Sequence, residues 1–343
     1  MKILFAIQGT GNGHLSRARD VYPELTKYGD VDVLISGIQA DVTVPFPVKY
    51  RYYGMSFIFG KHGGVDLVDT AKRLKLFRLM KDIREFPIRD YDLVINDFEP
   101  VSAWACKLNR IPCISLSHQC AVLHPAAPQP PASDPMGKAV LRYYAPVTDA
   151  YGFHFKSFGD KIFTPVIRKE IREIKPENKG HYTVYLPAYD DAAIVKHLSK
   201  FSQARWEVFS KHNANPFESG NVLIRRIDNR AFIESMASSA GVLCGAGFEG
   251  PAEAMYLGKK VMVVPMLIQY EQHCNAAGAA AMGATVINTL SEKYYPAINQ
   301  WLDKGEPIKA DYPDLTEHIV RHIISKHAPA FSTHGGQAVS VGI

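Results

Sequence analysis

Apolar and polar positions along the chain follow two alternating patterns. Short continuous apolar runs, typical of strands buried on both faces of a parallel sheet, alternate with longer segments whose apolar residues recur every three or four positions. Helices of the first half are predicted to begin near His14 and near Pro100. The predicted strands of this half are Lys2–Ile7, Val31–Ile35, Tyr91–Asn96, Ile111–Leu116 and Tyr151–Phe155. Strands separated by helix-length segments indicate parallel pairing through right-handed crossovers.

The second half of the chain repeats this alternation. Its predicted strands are Tyr182–Leu186, Trp206–Phe209, Val222–Ile224, Gly241–Cys244, Val261–Val264 and Thr285–Ile287. Its predicted helices are Asp191–Phe201, Arg230–Ser238, Pro251–Leu257, Glu271–Ala281, Ser291–Leu302 and Leu315–Lys326. The pattern therefore predicts an α/β protein with two Rossmann-like, doubly wound parallel-sheet domains that face each other across a cleft.

The domain boundary is expected in the charged stretch Phe163–Asn178, which contains two prolines. The predicted domains are residues 1–165, which would bind an acceptor, and residues 166–327, which would bind a donor; residues 328–343 are predicted to be a disordered tail. Because open parallel sheets bind ligands beyond the carboxyl ends of their strands, the functional site is expected in the cleft.

Composition narrows the function classes. The 343 residues are 47% apolar, enough for two cores, and hold no apolar run long enough for a transmembrane helix. The apolar start of the chain is interpreted as a strand and not as a signal peptide. A net charge of +5 is too small for a dedicated nucleic-acid binder, so no nucleic-acid partner is expected. Five cysteines without a Cys-x-x-Cys pair favour free thiols in a reducing, cytoplasmic compartment.

A glycine loop follows the first predicted strand and opens the first helix. It reads Gly9-Thr10-Gly11-Asn12-Gly13-His14, so histidine stands where a dinucleotide fingerprint needs its third glycine. Gly11 and Gly13 let the backbone approach a substrate closely. His14 is expected to face the cleft, where a neutral imidazole could take a proton from a hydroxyl; a helix-capping histidine is the alternative.

A histidine base needs an orienting partner. Asp97 ends the strand at Leu93–Asn96, at the cleft edge, and its carboxylate could fix the tautomer of His14 and stabilise the imidazolium. Glu99 is the rival candidate, and both acids could instead be solvated loop residues.

A second glycine-rich turn, Gly245–Gly250, follows a strand of the second half and opens a helix. The backbone N–H groups of Gly247, Phe248, Glu249 and Gly250 at this helix start can hold a diphosphate. Glu253, one turn further on, could accept both hydroxyls of a ribose. The acceptor and amide groups of Glu271 and Gln272, which open the next helix, suit the hydroxyls of a sugar.

These motifs closely resemble the nucleotide-sugar glycosyltransferases of the GT-B fold. The peptidoglycan UDP-N-acetylglucosaminyltransferase group is the nearest, and the plant and macrolide glycosyltransferases are further away. Most of the chain takes part in the resemblance, including Thr164–Arg168, which is similar to an Asn-Pro-Val-Arg segment of that group.

The resemblance assigns a role to each matching residue. Asp97 falls on the partner of the catalytic histidine, His14, and Glu253 falls on the ribose-binding glutamate. A segment whose backbone reads the uracil edge corresponds to Phe232 and Ile233, and the donor-sugar contacts correspond to Glu271, Gln272 and Asn275. On the acceptor side, the first glycine loop corresponds to Gly11 and Gly13, and a His-Glu-Gln loop corresponds to His118 and Gln119.

The resemblance implies an inverting hexosyltransferase that uses a nucleotide-sugar, expected to be a UDP-sugar, as substrate and needs no cofactor and no metal. The acceptor stays open: a glycan, a lipid or a small molecule. Gly245 and Ala246 stand where many relatives place His, Arg or Ser, and Glu249 brings negative charge to the expected phosphates unless it turns to solvent or to a base. A UDP-sugar 2-epimerase and a non-catalytic nucleotide-sugar-binding protein therefore stay open as alternatives.

A basic amphipathic segment at residues 72–84 interleaves Leu74, Phe77, Met80 and Ile83 with lysines and arginines. Such a helix could rest on anionic lipid at the inner face of the membrane, as a peripheral contact. An ordinary helix packed on the sheet with solvated charges is the alternative.

Overall fold

The structure, a computed structural model, describes residues 1–37, 44–54, 76–213 and 215–328. Within these ranges the chain forms two seven-stranded sheets. The strands of the first sheet are β1 Lys2–Gln8, β2 Asp30–Ser36, β3 Tyr50–Tyr52, β4 Leu93–Asp97, β5 Ile114–Leu116, β6 Asp149–Phe153 and β7 Ile162–Phe163. They pair parallel throughout, in the order β3-β2-β1-β4-β5-β6-β7.

The strands of the second sheet are β8 His181–Tyr185, β9 Arg205–Ser210, β10 Phe217–Ser219, β11 Val222–Arg226, β12 Gly241–Gly245, β13 Lys260–Val264 and β14 Thr285–Val286. Their order is β10-β11-β9-β8-β12-β13-β14. Only the edge strand β10 runs antiparallel among the strands described. The two sheets confirm the predicted fold class.

Twelve α-helices lie within the described residues. Those between the strands of the first sheet are α1 Asn12–Thr26, α2 Leu76–Glu85, α3 Pro100–Asn109, α4 His118–Val122 and α5 Pro135–Tyr143. The others are α6 Lys169–Glu173, α7 Asp191–Leu198, α8 Asn229–Ser238, α9 Glu249–Tyr256, α10 Tyr270–Ala281, α11 Tyr295–Lys304 and α12 Thr316–His327. None of these helices is both long enough and apolar enough to cross a membrane.

Strand β1 shows why a continuous apolar run becomes a central strand. Ile3, Phe5 and Ile7 join the core on one face of the sheet, and Leu4 and Ala6 join the core on the other. All five are at most 1% exposed. Because successive side chains point to opposite faces, a strand covered by helices on both sides must be apolar at every position.

Two short elements differ from the prediction. The Pro- and Ala-rich stretch His124–Pro135 favours a loop and is one up to Asp134, but the helix α5, which the pattern does not predict, begins at Pro135. The predicted helix Ser291–Leu302 is a 3-10 turn at Glu292–Tyr294 followed by α11.

The last helix, α12, returns to the first sheet. It packs on α1, and the Tyr151 hydroxyl on β6 lies 3.0 Å from Nε2 of His327. The boundary at residues 165 and 166 falls between the two sheets and stays a prediction. The predicted tail, apart from Ala328, lies outside the described residues.

Candidate functional site

The first glycine loop turns the chain from β1 into α1 at the carboxyl edge of the sheet. The N–H of Gly9 donates to the carbonyl of Ser36 at 2.6 Å, which holds the loop against β2. Gly11 precedes α1 with φ of 92°, a left-handed conformation that favours glycine. The loop therefore places His14 in the first turn of α1, beside the point where the strand order changes direction.

His14 and Asp97 form the predicted pair. Nδ1 of His14 lies 2.8 Å from Oδ1 of Asp97, and Asp97 is 2% exposed at the end of β4. The rival, Glu99, is the N-cap of α3: its carboxylate accepts from the N–H groups of Val101 and Ser102, both at 2.7 Å. Glu99 is thus a helix cap, and Asp97 is the acid that reaches the histidine.

Arg17 forms a cluster with His14, Asp97 and Glu249, and it was not predicted from the sequence. Its Nη2 donates to both carboxylate oxygens of Asp97, at 2.8 and 2.7 Å, and its Nη1 donates to Glu249. Arg17 follows His14 by three residues, so the two side chains lie on one face of α1. This spacing is the sequence feature that could have pointed to Arg17. Glu249 therefore turns to a base, one of the two outcomes considered from the sequence.

The charges of the cluster set its protonation states. Burial favours the neutral carboxyl of Asp97, but Arg17 and His14 outweigh it and lower its pKa. Burial alone would lower the pKa of His14, and the carboxylate of Asp97 overcomes this and raises it. In the neutral ring Nδ1 donates to Asp97, and Nε2 accepts from Nε2 of Gln119 at 3.2 Å. The lone pair of His14 thus faces away from Asp97, towards Gln119 on α4.

The acceptor-side and donor-side candidates meet directly across the cleft. Nε2 of Gln119 on α4 also donates to Oε1 of Glu271 on α10, at 3.1 Å. Nε2 of His118 lies 2.6 Å from Oδ1 of Asn275, and its ring stacks on Phe248 with centroids 3.8 Å apart. Burial raises the pKa of Glu271 and lowers that of His118 to about 4. The structure therefore unites candidates that lie far apart in sequence.

Two of the predicted donor-sugar contacts also hold the backbone of the second domain. Oε1 of Gln272 accepts from the N–H of Met266 at 2.9 Å, in the loop after β13. Nδ2 of Asn275 donates to the carbonyl of Ala246 at 3.1 Å. Both side chains therefore position loops at the carboxyl ends of β12 and β13.

Glu253 forms a buried ion pair. Nε and Nη2 of Arg168 donate to its two oxygens, at 2.5 and 2.7 Å, and Nη1 of Arg168 donates to Asn229 at 2.8 Å. Arg168 ends the Thr164–Arg168 segment that the sequence analysis singled out. The pair links that segment to α9, so the predicted ribose contact is already oriented by an arginine.

Phe232 and Ile233 lie in the first turns of α8. The side chain of Ile233 is 5% exposed and belongs to the core, while the ring of Phe232 packs edge-on against Phe209 at 5.3 Å. The backbone N–H of Phe232 donates to the carbonyl of Asp228 at 2.9 Å. The segment is thus fixed in place, beside the loop that follows β11.

A polar cavity of about 450 Å3 lies elsewhere in the second domain. Its lining includes His181, Glu207, Arg225 and Ser235, and it shares no residue with the cluster around His14. The candidate functional site is the cleft, because it unites the histidine, the carboxylates and the carboxyl ends of both sheets. Among the described residues no group of three or more His, Cys, Asp or Glu side chains is placed to hold a metal ion.

Comparisons with known proteins identify the family and the fold. The sequence model of the family described as Glycosyl transferase family 1 matches residues 1–302, most of the chain. The chain belongs to this glycosyltransferase family. It is therefore an enzyme, a hexosyltransferase, as the sequence analysis predicted. A search of curated proteins found no match.

Solved structures share the fold of this glycosyltransferase at low sequence identity. Acinetobacter baumannii MurG is 15% identical with a TM-score of 0.52, over 94% of this chain and 99% of that one. Medicago truncatula UGT71G1, solved with UDP-glucose, is 12% identical with a TM-score of 0.53, over 97% and 95%. The glycosyltransferase SnogD from Streptomyces nogalater is 12% identical with a TM-score of 0.51, over 96% of both chains. The fold of this glycosyltransferase is GT-B.

Proposed function

We propose that this glycosyltransferase moves a sugar from a UDP-sugar to an acceptor hydroxyl with inversion at the anomeric carbon. The observation that carries the proposal is the His14–Asp97 contact of 2.8 Å at the glycine loop, with the second ring nitrogen in contact with Gln119, whose amide also donates to Glu271 on α10 of the second domain. A histidine held by a buried carboxylate is an arrangement well suited to general-base catalysis.

In the proposed reaction Nε2 of His14 takes the proton of the acceptor hydroxyl, and that oxygen attacks the anomeric carbon of the donor. The bond from this carbon to the diphosphate oxygen breaks, and the diphosphate leaves with the electron pair. Asp97 stabilises the imidazolium. A single displacement inverts the anomeric centre, and no step of this scheme uses a metal.

Gln119 marks where the acceptor hydroxyl would enter. Its amide N–H now donates to Nε2 of His14, so the hydroxyl must take the place of that donor. The second amide atom, Oε1, is buried with no hydrogen-bond partner among the described residues, and it could accept from another hydroxyl of a substrate.

The donor is assigned to the second domain. The backbone of Gly247–Gly250 at the start of α9 would hold the diphosphate, Glu253 the ribose, and Glu271, Gln272 and Asn275 the sugar. The segment at Phe232 and Ile233 would lie beside the uracil. The sequence resemblance supports this assignment, and the position of all these groups at one end of the second sheet is consistent with it.

Thermal unfolding with UDP, GDP, ADP and dTDP tests the donor site. At 100 times its Kd a bound nucleotide adds about 2.7 kcal/mol of stability. Stabilisation by UDP, reduced in Glu253→Ala, is expected. A protein that none of the four nucleotides stabilises would not have the proposed donor site.

We also propose a peripheral contact between α2 and the inner face of an anionic membrane. Leu79 and Ile83 face the core, whereas Phe77 is 95% and Met80 41% exposed beside Arg78, Lys81 and Arg84. Of the basic segment, residues 72–75 lie outside the described residues. Co-sedimentation with anionic vesicles, but not with zwitterionic ones, is expected, and Phe77→Asp should abolish it. Equal sedimentation of this variant would rule the contact out.

A further inference from the structure

Arg17 is a charged residue of the cleft to which the proposed mechanism gives no role. Its side chain is 3% exposed, and its two terminal nitrogens point to different domains. One donates to Asp97 of the first sheet and the other to Glu249 of the second domain. The third donor, Nε, is buried and has no hydrogen-bond partner within the described part of the chain. A buried guanidinium with an unused donor can bind a further acceptor, and such an unsatisfied group calls for a functional explanation.

Glu249 occupies the space to which this guanidinium points. It is the first residue of α9, and its carboxylate packs on Gly13: a Cβ atom added to Gly13 would lie 2.7 Å from its Cδ. The carboxylate therefore lies where the first glycine loop, the start of α9 and Arg17 converge. All three features favour an anion at this point.

The turn that is expected to hold the diphosphate carries no positive charge of its own, so a cation from elsewhere would be needed. The turn Gly245–Gly250 contains one acid and no lysine, arginine or histidine, so it offers a departing diphosphate only backbone N–H groups. Arg17 reaches this turn from the other domain. Its planar fork is suited to two phosphate oxygens, and it cannot lose its proton near neutral pH.

We propose that Arg17 binds the diphosphate of the donor, with phosphate oxygens taking the place of the Glu249 carboxylate. The inference rests on the proposed function, because it assigns a further residue to the same donor site. Asp97 then holds both the base, His14, and the cation that stabilises the leaving group. Glu249 competes with the diphosphate for Arg17 until the donor enters.

Binding of UDP, uridine and inorganic pyrophosphate to purified variants tests the proposal by calorimetry. Arg17→Met should weaken the binding of UDP and of pyrophosphate about 10- to 100-fold, the usual loss for a hydrogen bond to a charged group, and leave uridine binding unchanged. Glu249→Gln should tighten UDP binding by about tenfold, because a like charge beside the phosphates is removed. Arg19→Met is the matched control, since Arg19 lies on the same helix, 31% exposed, and pairs with Glu170.

Each outcome separates this proposal from the proposed function. If the wild-type protein binds none of the three probes and no other nucleoside diphosphate, both fail. If it binds UDP and Arg17→Met binds UDP equally well, Arg17 only positions Asp97 and this inference is overturned. If Arg17→Met does not fold, Glu249→Gln decides: unchanged affinity for UDP and pyrophosphate refutes the competition on which the inference depends.

Discussion

At the scale of residues, the candidate site is organised by Asp97, which contacts both the imidazole of His14 and the guanidinium of Arg17. The sequence placed Asp97 beside His14, since both follow strands at the carboxyl edge of one sheet. The sequence left Glu99 as a rival, because it does not show whether this side chain caps the following helix or contacts His14. Arg17 escaped prediction because its spacing from His14 shows a shared helical face but not its partners, Asp97 and Glu249.

Replacing His14 by Ala should lower turnover by about 10²–10⁴-fold, the range usual for loss of a general base. The fold should persist, because the side chain lies in the cleft and is 12% exposed. Initial rates measure turnover, with a sugar donor of the nucleotide that stabilises the protein, and thermal unfolding measures stability. His318→Ala, at an exposed position on α12, serves as the control. Unchanged turnover in His14→Ala would remove this residue from the mechanism.

The pH dependence of catalysis should report the pair. His14 must be neutral to act, so kcat/KM should fall as pH drops through its pKa, which Asp97 raises above 6.5. In Asp97→Asn the raising charge is lost, so this acidic limb should move to lower pH while the maximal rate falls. The pH profile of kcat/KM measures both. A limb at the same pH in both proteins would show that Asp97 does not govern the protonation of His14.

At the scale of elements, long apolar runs were predictable and short helices were not. The start of every central strand was placed within three residues, because burial on both faces leaves little choice of residue. Helices α4 and α6, five residues each, carry too few positions for a period to show. Helix α5 had a recognisable start in Asp134-Pro135, with the Asp134 side chain accepting from Gly137 N–H at 2.8 Å, but the prolines before it favoured a loop.

The N-cap of α3 allows a test that separates structure from catalysis. Glu99→Ala removes the acceptor of two buried backbone N–H groups and should lower the free energy of unfolding by about 1–2 kcal/mol. Turnover per folded molecule should stay unchanged, because Glu99 does not contact His14. Urea unfolding and initial rates measure the two effects. The control is Glu173→Ala, whose carboxylate is 65% exposed. A large loss of turnover at full stability would assign Glu99 to the site.

At the scale of the whole molecule, the repeated pattern predicted two α/β units, and the two sheets confirm these units. The direct contacts across the cleft, such as His118 with Asn275, did not follow. They depend on the relative placement of two domains, which is set by side chains that meet only in the folded chain. The return of α12 to the first sheet was equally hidden, because its amphipathic pattern does not say which surface it covers.

Removal of α12 should destabilise the first domain, although α12 follows the second in sequence. Ile319, Val320, Ile323 and Ile324 are at most 6% exposed, and burial of four such side chains contributes at least about 6 kcal/mol. A chain ending at Asp314 is therefore expected to lose cooperative unfolding of the first domain in calorimetry. A chain ending at Ala328, which keeps α12, is the control. Normal unfolding of the shorter chain would show that α12 is dispensable.

The return of α12 also means that the polypeptide crosses between the two halves twice, once after β7 and once before α12. A single tether would let two lobes swing and twist freely about one point. Two tethers restrict the relative motion of the domains to a single hinge axis, because only rotation about the line through both crossings leaves each crossing undistorted. Admission of a nucleotide-sugar between the halves should therefore follow one fixed arc, which brings Arg17 and Glu249 apart and together along the same path at every turnover.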